Sequence, residues 1–127
     1  MGKPPALEVV SGNTAHSAIL GTYVWGDTIA CSFHPLECRK NLQPGLETEE
    51  MTAALRFQVE PDEIVSVCRW SDAHWGDFYA EEEAVEVGGV EFALKPGGYI
   101  YDVKARWGDR TDFGGTADYF LYVIAAE

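Results

Sequence analysis

Apolar and polar residues alternate with a period of two over much of this chain, most clearly near its carboxyl end. Tyr99, Tyr101, Val103, Ala105 and Trp107 fall on one side of an extended backbone, and Asp102, Lys104 and Arg106 fall on the other. That is the pattern of a half-buried strand. After a short turn, residues 117–124 form a second strongly apolar segment, so the two together predict a hairpin. Ala53, Leu55, Phe57 and Val59 alternate in the same way with Ala54, Arg56, Gln58 and Glu60. Shorter runs predict further strands: residues 6–10, read as an edge strand ended by Ser11-Gly12-Asn13, residues 16–25, turned by Gly26-Asp27, and residues 64–70. A strand over 28–33 is stopped at His34-Pro35, because proline cannot donate to a ladder. Val85 and Val87, then Gly88-Gly89, then Val90, Phe92 and Leu94 predict a two-residue hairpin. Residues 37–51 keep neither period and read as a long connection, with one helical turn allowed from Thr48 to Met51.

Roughly eight or nine short strands spaced about ten residues apart, with no long helix, predict an all-β fold. The turn Lys95-Pro96-Gly97-Gly98 followed by Tyr99 and Tyr101 has the form of the corner before the penultimate strand of an immunoglobulin-like sandwich. In such a corner a tyrosine hydroxyl ties back to nearby backbone. The fold expected is therefore an immunoglobulin-like antiparallel β-sandwich, one domain spanning residues 1–127, with residues 1–5 a disordered or artificial start; an open barrel is the alternative. The expected core comprises Val9, Leu20, Tyr23, Trp25, Leu55, Phe57, Val59, Val67, Phe92, Leu94, Tyr99, Tyr101, Val103, Leu121 and Val123.

Charge narrows the partners. With 21 acidic and 9 basic residues the net charge is −12, which repels a phosphate backbone, so nucleic acid is not expected. An acidic surface suits cations, basic partner proteins or solubility alone. No apolar run reaches the roughly 18 residues of a membrane span, so the domain itself is not expected to insert.

Several groups carry candidate chemistry. Cys31 and Cys38 are spaced to close a loop disulfide, with Cys68 left over, or all three are reduced thiols. His34 between Cys31 and Cys38 offers three zinc-type ligands, but no fourth is visible and a structural role is favoured. Trp-Gly-Asp occurs at Trp25, Trp75 and Trp107. It reads as an indole closing a strand, followed by turn chemistry. If the three ends shared one rim, Asp27, Asp77 and Asp109 would gather carboxylates for a cation. The candidate ligand-binding surface is the loop after residue 69, with Trp70, Asp72, His74, Trp75, Asp77, Phe78 and Tyr79. Exposed rings beside carboxylates stack on a sugar face and accept from its hydroxyls. The same residues can instead fold back as a lid over the core. No catalytic triad order, phosphate loop or metalloprotease helix is present, so an enzyme is not expected and no cofactor is assigned.

Taken together, Pro5-Ala6-Leu7, the segment Leu20-Gly21-Thr22-Tyr23-Val24-Trp25, His34-Pro35-Leu36, the strand around Val65 to Trp70 and Lys95-Pro96-Gly97-Gly98-Tyr99-Ile100-Tyr101 resemble a small β-domain of Gram-positive bacteria. That domain occurs as a stand-alone lipoprotein and as the carboxyl-terminal extracytoplasmic part of membrane metallopeptidase regulators akin to β-lactam sensors. The resemblance implies an immunoglobulin-like sandwich outside the membrane and carries over no catalytic residue. The function expected is a non-catalytic binding or sensing module whose partner is a protein or a cell-wall glycan; the alternatives are a carbohydrate- or cell-wall-binding domain using the aromatic loop 69–79 and a purely structural protein-interaction domain.

Overall fold

The structure is a computed structural model that describes residues 3–77, 79–108 and 114–126. Two sheets pack face to face. The smaller contains β1 (Leu7–Ser11), β2 (Thr14–Ser17), β6 (Thr52–Phe57), β9 (Val87–Gly88) and β10 (Glu91–Ala93), in the order β2-β1-β6-β10-β9. The larger contains β3 (Ile19–Trp25), β4 (Thr28–Ala30), β7 (Glu63–Ser71), β8 (Glu83–Val85), β11 (Gly97–Trp107) and β12 (Gly115–Ala125), in the order β4-β3-β12-β11-β7-β8. A short β5 (Leu46–Thr48) runs parallel to the end of β12; every other pairing is antiparallel.

Stripped of β2 to β5, the orders β1-β6-β10-β9 and β12-β11-β7-β8 are the two sheets of an immunoglobulin-type sandwich. The segment between β1 and β6 is an insertion that widens both sheets. The sandwich expected from the alternation is therefore present, and the hairpin of residues 97–125 is its centre. β11 and β12 pair over eleven registers, from Gly97 opposite Ala125 to Trp107 opposite Gly115.

Between the sheets lie Leu7, Val9, Leu55, Val67, Phe92, Tyr101, Val103 and Leu121, all buried. In place of a disulfide between the sheets there is an aromatic cluster. Trp107 meets Trp25 and Phe57 edge-on, each at 5.6 Å between ring centres, and Tyr119 at 6.3 Å. Its indole N–H donates to the Val59 carbonyl at 2.9 Å. Tyr119 carries the hydroxyl that ties to distant backbone, donating to the Pro5 carbonyl at 2.5 Å. Tyr101, the tyrosine of the expected corner, instead accepts from Arg69 at 3.4 Å.

Several local expectations are corrected. β1 is an inner strand, flanked by β2 and β6, and the edge belongs to β2. Residues 16–25 are two strands in different sheets, because the chain crosses at Ala18. Likewise β8 and β9 belong to opposite sheets, and the tight turn falls at Gly89-Val90 rather than Gly88-Gly89, since Glu91 pairs with Gly88. The partner strand expected over 28–33 stops at Ala30. No helical turn forms at 48–51, where Thr48 ends a strand. The connection instead holds a 3₁₀ turn, Pro35–Glu37, and the one-turn helix α1 (Arg39–Leu42). Val59 is 44% exposed and leaves the core list, because β6 ends at Phe57 and Val59 contributes its carbonyl. Leu20, Tyr23, Phe57 and Tyr99 are only partly buried at the core's margin.

Removing the Trp107 ring takes away the hub of the aromatic cluster. Trp107→Ala is expected to cost about 3–5 kcal/mol, measured as a lower urea midpoint at unchanged slope. A loss under about 1 kcal/mol would show that the cluster is not where the sheets are joined.

Candidate functional site

The aromatic loop lies on the outer face of the large sheet, and much of it is turned inward. β7 ends at Ser71, whose hydroxyl caps the 3₁₀ turn Asp72–His74 by accepting from the Ala73 amide. Asp72 then lies over Gly98, where a Cβ would collide with its carboxylate. It accepts from the Tyr122 hydroxyl at 2.8 Å. Burial and this carboxylate together push the Tyr122 pKa up to about 12. Trp75 sits edge-on to the Tyr122 ring at 5.2 Å, with the Arg39 guanidinium 5.6 Å over its own ring. Trp70 is 5% exposed, its indole N–H donating to the Ala80 carbonyl at 3.1 Å and its ring meeting His34 at 4.9 Å. The Gly76 amide donates to the Leu36 carbonyl at 2.8 Å, joining the loop to the inserted segment.

These contacts make a second small core. Trp70, Ile100, Phe120 and Tyr122 point outward from the sheet and are covered by Leu36 and Leu42 of the insertion, with Trp75 and Ala80 packed against them. The candidate residues therefore divide. Trp70 is inside, and Asp72 and Trp75 are half-buried anchors. His74, Asp77 and Tyr79 are exposed, Tyr79 at 85%. Phe78 lies outside the described residues. The Asp77 carboxylate accepts from the Tyr79 amide at 3.1 Å and holds the tip in a turn.

His34 caps the Pro35–Glu37 turn, accepting at Nδ1 from the Leu36 amide at 3.1 Å. The three cysteines are free thiols, with Cys31 exposed. Cys38 donates to the His34 carbonyl at 3.4 Å, and burial raises its pKa. Among the described residues no group of three or more His, Cys, Asp or Glu side chains is placed to hold a metal. The Trp-Gly-Asp segments do not share a rim. Trp25 and Trp107 meet at one end of the sheet, where both register with Gly115. Trp75 follows Ser71, which pairs with Tyr99 toward the other end, so Asp77 is far from Asp27; Asp109 lies outside the described residues. Gly26, Gly76 and Gly108 all have positive φ, which is the turn chemistry the motif suggests.

One cluster was not legible as a site. Asp102 and Asp118, diagonal neighbours on β11 and β12, face each other on the outer side of the large sheet. One oxygen of each, Oδ1, is buried without a hydrogen-bond partner among the described residues. Burial, then the Asp118 charge, pushes the Asp102 pKa up to about 7, and burial raises Asp118 as well, so the pair retains a shared proton up toward neutral pH. Lys104 partly offsets the repulsion, and Glu82 adds to it. Burial and the same acids push the neighbouring Cys68 thiol up to about 12, which keeps it protonated and unreactive.

No protein-family model, curated protein or solved structure matches the chain.

Because the folded-state pKa of Asp102 lies above its unfolded value, the folded state binds the extra proton. The resulting stability is full below about pH 4 and is lost as pH rises toward about 7. Asp102→Asn is expected to flatten that part of the stability–pH curve, measured by urea unfolding at several pH values. Identical pH dependence in the two proteins would contradict the shared proton.

Proposed function

We propose that the domain is a non-catalytic binding module that works outside the cytoplasm and engages a partner protein through the tip of the aromatic loop. The observation that carries the reading is the division of labour within that loop. Trp70 and Trp75 are packed against Phe120, Tyr122, His34 and Arg39, whereas His74, Asp77 and Tyr79 are exposed, Tyr79 at 85%. A glycan platform of the kind the sequence suggests needs several exposed aromatic rings. Among the described Trp, Tyr and Phe residues of the loop, Trp70 is buried, Trp75 half-buried and Tyr79 exposed.

An exposed tyrosine whose backbone amide is held by the Asp77 carboxylate suits the anchored contacts typical of protein interfaces. Such a ring supplies contact area at little cost in side-chain entropy. The extracytoplasmic setting is supported by the resemblance to the Gram-positive β-domain. A non-catalytic role is supported by the sequence, which carries no recognisable nucleophile or acid–base arrangement.

Three variants separate the roles. Tyr79→Ala and Asp77→Ala are expected to keep their stability within about 0.5 kcal/mol. Trp75→Ala is expected to lose about 2–4 kcal/mol. Immobilised domain would be exposed to an envelope protein extract and, separately, to insoluble peptidoglycan. A protein retained by the parent and lost with Tyr79→Ala is the expected result. Peptidoglycan binding lost with the same variant would instead establish the glycan reading, and retention unaffected by Tyr79→Ala would move the contact away from the loop.

A further inference from the structure

At the opposite end of β7 from the aromatic tip, the main core opens to solvent. The connection from β6 to β7, residues 58–62, and the β9–β10 turn form the two banks of a cleft of about 510 Å³. Its floor is apolar: Leu55, Phe57, Ile64 and Val87 belong to the interior or its margin, and Val90 is 41% exposed at the lip. Its rim is acidic, with Glu60, Asp62 and Glu63. The charge there is only partly compensated. Glu63 pairs with Arg106 at 3.3 Å, and Arg56 pairs with Glu8 on the neighbouring strand. Asp62 accepts from the Gly108 amide, a neutral donor, and Glu60 has no partner among the described residues. Among the described residues two carboxylates are therefore in excess. Among the described residues β9, which contributes Val87 to the floor, pairs only with β10, so its other edge is unpaired.

We propose that this cleft seats an extended basic segment of a partner protein, lying along the β9 edge with an aliphatic side chain on the Leu55–Phe57–Val87 floor and a lysine or arginine against Glu60 and Asp62. Three features define that occupant. An unpaired strand edge binds extended main chain, and a pocket beside it selects alternate side chains. A rim with surplus negative charge selects cations and rejects acidic segments, including a second copy of this chain at a net charge of −12. The apolar floor sets it apart from a purely ionic surface, because aliphatic burial adds affinity that salt does not screen. The inference is independent of the aromatic tip, which lies at the far end of the same strand.

The test uses the whole domain, labelled with ¹⁵N, titrated with a capped hexapeptide of alternating leucine and lysine and with its serine–lysine counterpart. Saturable shifts confined to residues 55–64 and 87–91 are expected for the leucine peptide, with binding at least tenfold weaker for the serine peptide. Glu60→Lys should weaken the leucine peptide about tenfold, and Val90→Gln severalfold. Glu49→Lys, a reversal elsewhere on the surface, should leave it unchanged. Both wild-type side chains at the cleft are exposed, and thermal melts verify that the variants fold. Equal weakening by Glu60→Lys and Glu49→Lys would reduce the effect to net charge and overturn the proposal. Shifts scattered over the whole acidic surface, or equal binding of the serine peptide, would do the same. Concentration-dependent shifts at the cleft without peptide would give the surface to a second copy of the chain, which also overturns it.

Discussion

Burial of the central hairpin on both faces is the constraint from which the rest of the molecule follows. In β12, Tyr119 to Val123 are all buried, so side chains on both sides of the strand are removed from water. A two-layer sandwich covers only one face of each sheet. The second face must be covered by something else, and here the inserted segment 34–42 and the aromatic loop do it, closing over Ile100, Phe120 and Tyr122. Each fully buried aromatic or aliphatic side chain of this kind is worth roughly 1.5–3 kcal/mol, enough to hold two irregular segments that have little regular structure of their own.

That arrangement accounts for the local chemistry of the loop. Gly98 leaves room for Asp72, Asp72 accepts from Tyr122, and Tyr122 braces Trp75. A loop braced in this way presents its tip without a large ordering cost, which favours recognition. The covered part of the outer face is apolar. Beyond the lid it carries Asp102, Asp118 and Lys104, and the two carboxyls are close enough that one holds its proton near neutrality. A structural consequence of packing thus becomes a source of pH-dependent stability.

The alternation in residues 99–107 and 53–57 was enough to place those strands and their inward faces, because a half-buried strand writes its burial into a period of two. Two-faced burial does not. The run from Tyr119 to Val123 is continuous in hydrophobicity, and Ile100 shares its face with Asp102, Lys104 and Arg106, so nothing local marks a second core. Sheet changes at Ala18 and at Glu86 left no signal either, since a strand that crosses from one layer to the other keeps strand-forming composition throughout. The aromatic loop was visible as a candidate from composition alone. Which of its rings are buried depends on Tyr122, fifty residues away from Asp72, and on the insertion, so it was not legible. The pairing of Asp102 with Asp118 likewise depends on register across the hairpin.

The most direct measurement is hydrogen exchange of the Trp70 indole N–H, followed by NMR alongside the backbone amides of the β11–β12 ladder. If the aromatic loop and the inserted segment form a true second core, the indole proton bonded to Ala80 exchanges only through global unfolding, at the same opening free energy as the ladder amides. Exchange of that proton within the dead time, while the ladder remains protected, would show that the loop opens independently of the sandwich, and would contradict the rigid support on which the proposed recognition rests.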